Sequence, residues 1–152
     1  LRRLRYQPCG GFTVFCLNDP TPGWGWGLIA ADGSPRPSLT ALAEACRPIA
    51  VIADRLGPEL ASGSRHAVDI NVVSDLRYDI AEAEVDVVVT GPDLEIRRRF
   101  AGAIDADSST KVGTVGFRVP ESRGQVEVTA TVRADGLGNT HRQVSAIQLP
   151  LS

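Results

Sequence analysis

At 152 residues, the chain has room for one domain of ordinary size and a short additional segment. The formal charge is −2, and the fifteen Arg and one Lys are scattered apart from Arg97-Arg98-Arg99, so a nucleic-acid-binding surface is not expected. No apolar run is long enough to span a bilayer, no signal-peptide pattern is present, and the three cysteines, Cys9, Cys16 and Cys46, lack CxxC-type metal spacing. No metal, cofactor, nucleic acid or membrane is therefore expected as a partner, and the compartment is left open. The chain holds no Met and opens on Leu1, which reads as the tail of a larger protein.

In chain order, residues 1–6 read as the end of a helix, broken by Pro8 and Gly10-Gly11. Phe12-Thr13-Val14-Phe15-Cys16-Leu17 is apolar on both faces, the pattern of a short parallel strand covered on both sides. Asn18-Asp19-Pro20 stops it, and a Gly/Pro/Trp-rich loop follows. Residues 26–30 read as a second short strand before the Asp32-Gly33 turn. Pro35-Arg36-Pro37-Ser38 then introduces a helix over 38–47 with Leu39, Leu42, Ala43 and Cys46 on its apolar face. A buried strand ending in polar groups beside a Trp-bearing loop is the arrangement at the catalytic face of a (β/α)8 barrel. With one such strand present, residues 1–48 are expected to be a remnant of that barrel plus a linker helix.

From Ile49 the helical period disappears. Seven short runs follow, over 49–55, 65–74, 82–90, 95–103, 111–119, 125–133 and 141–149, separated by turn residues. Val68, Ile70 and Val72 alternate with Asp69, Asn71 and Val73. Val85, Val87 and Val89 alternate with Glu84, Asp86 and Val88, and Val126, Val128, Ala130 and Val132 with polar residues. One face is therefore buried and one wet, as in antiparallel sheets. The fold class expected is mainly β: a seven-stranded immunoglobulin-like antiparallel sandwich over 49–152, preceded by the barrel remnant. The Cys…Trp…Cys core of antibody domains is absent.

No catalytic constellation is visible in the sandwich. His66 and His141, near the starts of strands, suit surface positions, and Asp105-Ala106-Asp107 suits an acidic turn better than a calcium loop. The N-terminal segment is richer. Asn18 and Asp19 close the apolar strand, with Trp24 and Trp26 just beyond; rings stack on sugars, and Asn or Asp hydrogen-bonds hydroxyls. Each also has a structural reading, with Trp26 as core and Asp19 as a turn cap, and both readings stay open.

GGFTVFCLND followed by GWGWGLIAADGSPRPSLTALAEACRPI resembles the closing part of the β-mannosidase-like branch of glycoside hydrolase family 2. Leu17-Asn18-Asp19 is similar to the end of the eighth barrel strand, Trp26 to a loop tryptophan, Gly33-Ser34-Pro35-Arg36-Pro37 to a turn, and Arg47-Pro48 to the step into a C-terminal sandwich. The motif covers about the first third of the chain. Phe15 stands where the family commonly has Trp. The resemblance implies a retaining exo-β-glycosidase whose two catalytic glutamates, roughly 5 Å apart, lie on earlier barrel strands. No segment here matches either glutamate.

The implied reading is a non-catalytic C-terminal module, inactive and structural by itself. Its partner is the upstream catalytic barrel of the parent chain, and carbohydrate substrate reaches it only through that parent. Asn18, Asp19, Trp24 and Trp26 are then substrate-binding candidates in the intact protein, with no catalytic residue in this segment. The alternative is a stand-alone carbohydrate-binding or protein-interaction β-sandwich, or a parent barrel that only binds.

Overall fold

The computed structural model describes residues 1–5, 8–23 and 25–150, and the chain forms two compact units, Leu1–Arg47 and Pro48–Ser152. The second unit is built of eight strands in chain order: β1 (Ile49–Ala53), β2 (Glu59–Ala61), β3 (Arg65–Ser74), β4 (Ile80–Gly91), β5 (Leu94–Ile104), β6 (Ser108–Arg118), β7 (Gln125–Ala134) and β8 (Leu137–Gln148). They form a three-stranded sheet ordered β1-β3-β6 and a five-stranded sheet ordered β2-β8-β7-β4-β5. All pairings are antiparallel except β2 with β8, where Leu60 faces Ile147 in a parallel register.

Alternation along the strands explains why the two sheets close on each other. Val68, Ile70 and Val72 of β3 are at most 1 % exposed, as are Val85, Val87 and Val89 of β4 and Val126, Val128 and Val132 of β7. The register multiplies the effect, since Val87 lies opposite Ala130 and Val89 opposite Val128. Rows from both sheets, joined by Ile49, Val51, Val115 and Phe117, make one core, so the unit is a β-sandwich. Burying a side chain of this size contributes about 1.5–3 kcal/mol.

The turns follow local chemistry. Asp135-Gly136 carries φ of 48° and 74° and joins β7 to β8 as a two-residue hairpin loop closed by Ala134 opposite Leu137. Asp105-Ala106-Asp107 is a turn, where Ser108 Oγ donates to the Asp105 carbonyl at 2.7 Å.

Strand β5 lies at an edge, and edges invite pairing with other chains. Arg98 shares the parity of Ile96 and Phe100, which pack against the core, yet Arg98 itself is exposed. A charge on the inward row of an edge strand opposes any second sheet laid alongside it.

Four expectations need correction. The seven long strands are present, but β2, a three-residue strand behind Gly57-Pro58, joins them. It is too short to show a period in the sequence. The expected buried strand over 12–17 does not form, and neither does the one over 26–30: among the described residues, the first unit holds only isolated bridges, Asn18 with Ile29 and Ile29 with Pro35 among them. Phe12, Val14, Phe15 and Leu17 are 46, 45, 86 and 61 % exposed. A strand needs lateral backbone partners, and among the described residues this run finds them at its end, where the Cys16 and Leu17 carbonyls accept from the Leu28 and Ile29 N–H groups at 3.2 and 2.9 Å. Residues Arg2–Leu4 form a 3₁₀ turn, with Tyr6 and Gln7 outside the described residues. The helix, α1, spans Pro37–Ala45 rather than 38–47; Leu39 and Leu42 are half-buried, whereas Ala43 and Cys46 are exposed.

Two outcomes follow from this packing. Val87→Ala removes two methyl groups from the shared core and should lower unfolding free energy by about 2–3 kcal/mol in a denaturant titration, against about 0.5 kcal/mol or less for Val144→Ala on the outer face. Arg98→Val should leave the fold intact and raise self-association, read by sedimentation velocity; an unchanged monomer fraction would contradict the role given to Arg98.

Candidate functional site

The first unit is organised around one carboxylate. Asp19 ends the apolar run and is 3 % exposed, an unusual burial for an acid. Both of its oxygens are engaged. The Gly27 N–H donates to Oδ1 at 2.7 Å, and Arg36 Nη2 donates to Oδ2, forming an ion pair. The Asp19 N–H in turn donates to the Ile29 carbonyl, and Arg36 N–H to the Leu28 carbonyl, each at 2.9 Å. One carboxylate thus joins the strand end, the Trp-bearing loop and the turn before α1.

The glycine alternation of Gly25-Trp26-Gly27 has its cause here. A Cβ at Gly25 would overlap the Asp19 carboxyl group, and one at Gly27 would lie 2.7 Å from the Asp19 N and 2.8 Å from Oδ1. Only a chain without side chains at these two positions can wrap the carboxylate so closely. The Gly27 hydrogen bond, followed by the Arg36 hydrogen bond, holds the Asp19 carboxyl below its ordinary range, outweighing the opposite effect of burial.

The sequence candidates therefore separate. Asp19 is turned inward and saturated. Asn18 is exposed beside it, and Trp26, between the two glycines, is 85 % exposed. Trp24 lies outside the described residues. Asn18 and Trp26 are the side chains of this set available to a ligand, and Asp19 fixes the backbone that carries them. Sequence reasoning missed Arg36 as a partner of Asp19, because the pair is separated by a loop that no period links. A buried acid followed by glycines at alternate positions was the available signal.

The histidines differ from each other. His66 stacks on Phe117, with ring centroids 5.7 Å apart, and its Nε2 lies 3.0 Å from Ser64 Oγ. His141 is half-buried with Nε2 unpaired, and burial pushes its pKa down. Among the described residues, no group of three or more His, Cys, Asp or Glu is placed to hold a metal ion.

No protein-family model matches the chain, and no curated protein matches it. Solved structures share part of its form at low identity. The sporulation control protein Spo0M from Bacillus subtilis aligns over 67 % of this chain and 49 % of its own, at 13 % identity and a TM-score of 0.41. This chain thus spans about half the length of that protein. The R. palustris CsgH solution structure aligns over 62 % of this chain and 87 % of its own, at 14 % identity and a TM-score of 0.39. The E. coli curli protein CsgC aligns over 63 % and 96 %, at 12 % identity and a TM-score of 0.41. Likeness of this extent assigns neither family nor activity.

The clasp has a pH signature. Because the folded pKa of Asp19 is depressed, its stabilising effect is present above the ordinary carboxyl value of 3.8 and is lost as pH falls through the lower folded value. The Gly27 amide proton should therefore titrate in NMR spectra with a midpoint below 3.8. Gly25→Ala should abolish that titration and speed proteolysis within residues 8–36 at neutral pH, while the sandwich stays intact.

Proposed function

We propose that this chain is the C-terminal, non-catalytic part of a retaining exo-β-glycosidase of the β-mannosidase-like kind, in which an immunoglobulin-like sandwich buttresses the catalytic barrel. The observation that carries the reading is the exposure of Phe12, Val14, Phe15, Leu17 and Trp26 together, in the segment that bears the family-like motif. Soluble proteins seldom leave such a group of large apolar side chains uncovered, and a partner surface is the ordinary reason. A barrel strand would find that cover in its two neighbouring strands and the helices outside them.

Two further features support it. The residues of the resemblance, Asn18-Asp19 and the Gly33–Pro37 turn, are linked in space by the Asp19–Arg36 pair rather than lying apart. The strand order, with β2 joining β8 in parallel while β1 pairs with β3 in the opposite sheet, fits an immunoglobulin-like sandwich. In the parent, Trp26 and Asn18 would face the sugar, Trp26 through its ring and Asn18 through its amide, while Asp19 holds their loop. The two carboxylic acids that perform displacement would come from the barrel.

The chain alone should leave aryl β-mannosides and β-glucosides uncleaved between pH 4 and pH 9, since retaining hydrolysis needs both carboxylates about 5 Å apart. Joined to its barrel, it should support hydrolysis with retention, and Trp26→Ala should lower kcat/KM by up to about tenfold with the fold unchanged. Turnover by the chain alone that vanishes when one of its own carboxylates is replaced would overturn the proposal. So would a parent lacking paired strand-end glutamates.

A further inference from the structure

The outer face of the five-stranded sheet carries a second site, unrelated to the motif segment. A groove of about 520 Å³ runs across β7, β4 and β5. Val88, Thr129 and Thr131 line it together with Arg97, Arg99 and Arg133, and Val87 and Arg98 of the inward rows also reach it. The register brings these together from distant sequence positions: Asp86 lies opposite Arg99 on one side and Thr131 on the other, and Val88 opposite Arg97 and Thr129.

Asp86 sits among them as an organiser. Arg99 Nε donates to its Oδ1 at 2.7 Å and Arg133 Nη1 to its Oδ2 at 2.7 Å. Arg99 Nη1 also lies 4.0 Å from Glu84, and Arg97 pairs with Glu95 at 2.7 Å, so the four arginines of the lining, Arg97, Arg98, Arg99 and Arg133, exceed the three carboxylates Asp86, Glu84 and Glu95 by one positive charge. Each guanidinium has five N–H donors; Arg99 turns Nε and Nη2 to Asp86 and Nη1 toward Glu84, so the larger share of donors left for another acceptor is on Arg133. Both side chains are more than 60 % exposed, at 63 and 62 %, while Asp86 is 27 % exposed, so the acid is shielded and the cations face outward. Arg97, 74 % exposed, lies two residues from Arg99 on the same face of β5, roughly 7 Å along the strand.

We propose that this groove binds a uronic-acid unit of an acidic oligosaccharide, its carboxylate held by Arg99 and Arg133 and its hydroxyls by Thr129 and Thr131. Planar guanidiniums match a carboxylate in two-point contact. Thr129 Oγ1 already donates to Glu127 Oε1 at 3.1 Å, and Thr131 Oγ1 lies 3.1 Å from Thr140 Oγ1, so what the two threonines offer a sugar hydroxyl is their remaining acceptor lone pairs. An acidic peptide fits less well. Its N–H groups need a row of acceptors, and a sheet face has spent its backbone carbonyls on the ladder. A phosphodiester chain is disfavoured because Glu84 and Glu95 lie beside these arginines, and Glu127 on β7 pairs with Arg142 at 2.6 Å. Dense negative charge meets those carboxylates, whereas about one charge per sugar can sit between them. With no aromatic ring lining the groove, neutral sugars have no stacking platform, so charge should decide binding.

Calorimetric titration of the full chain with trigalacturonate at low salt tests this, alongside neutral mannotriose, a glutamate-rich peptide and duplex DNA. Binding of trigalacturonate alone, weakened as salt rises and weakened about tenfold or more by Arg133→Gln, supports the proposal. Arg97→Gln, at a cation 74 % exposed, should weaken it without altering thermal unfolding, which separates loss of the site from loss of fold. Failure to bind trigalacturonate, equal binding of mannotriose, tighter binding of peptide or DNA, or affinity untouched by both substitutions would each overturn it.

Discussion

The sandwich depends on contact between two rows of small branched side chains. Aromatic residues make up 5 % of the chain, and the sandwich itself has no tryptophan, so bulk cannot come from a few large rings. It comes instead from valine and isoleucine repeated at every second position of β3, β4 and β7, with both sheets contributing. A one-residue slip of β4 or β7 would send its valines to solvent and its Glu, Asp and Arg inward, so the period that builds the core also fixes their register. β3 differs from the expected one wet face, because Asn71 and Val73 on its other face are buried as well. The polar outer rows are then free to carry charge without cost to packing, which is how Asp86, Arg99 and Arg133 come to meet across three strands.

The N-terminal unit solves a different problem with different means. It has no core of comparable size: among its described hydrophobic residues, Leu28, 9 % exposed, is the one that is buried. What it has is a carboxylate with donors on both oxygens and a glycine-lined loop wrapped around it. A buried charge is costly unless paired and hydrogen-bonded, and Asp19 is both. Order here comes from polar geometry, while the apolar side chains face outward. That inversion distinguishes how the two units are held together and motivates the proposal that the apolar run meets a partner surface.

Much of the sandwich was legible because alternation is a local property. Val85, Val87 and Val89 announce a half-buried strand without knowledge of their partners. The run at 12–17 misled for the complementary reason. Its composition reads as that of a buried strand, but a strand is a relation between segments, and among the described residues Leu28 and Ile29 are the ones that pair with its end. β2 was invisible because three residues cannot show a period. The Asp19–Arg36 pair, and the meeting of Arg133 with Arg99 on Asp86, were out of reach because they join residues that only the folded backbone brings together.

The functional account rests on the claim that residues 12–17 are an interface strand awaiting neighbours. Hydrogen exchange at these amides measures that directly, in the isolated chain and in the same chain joined to the barrel proposed as its partner. The account predicts fast exchange over 12–15 in isolation, where no ladder is present, and protection comparable to β3 and β4 once the barrel is supplied. Amides over 12–15 that exchange equally fast in both would contradict it.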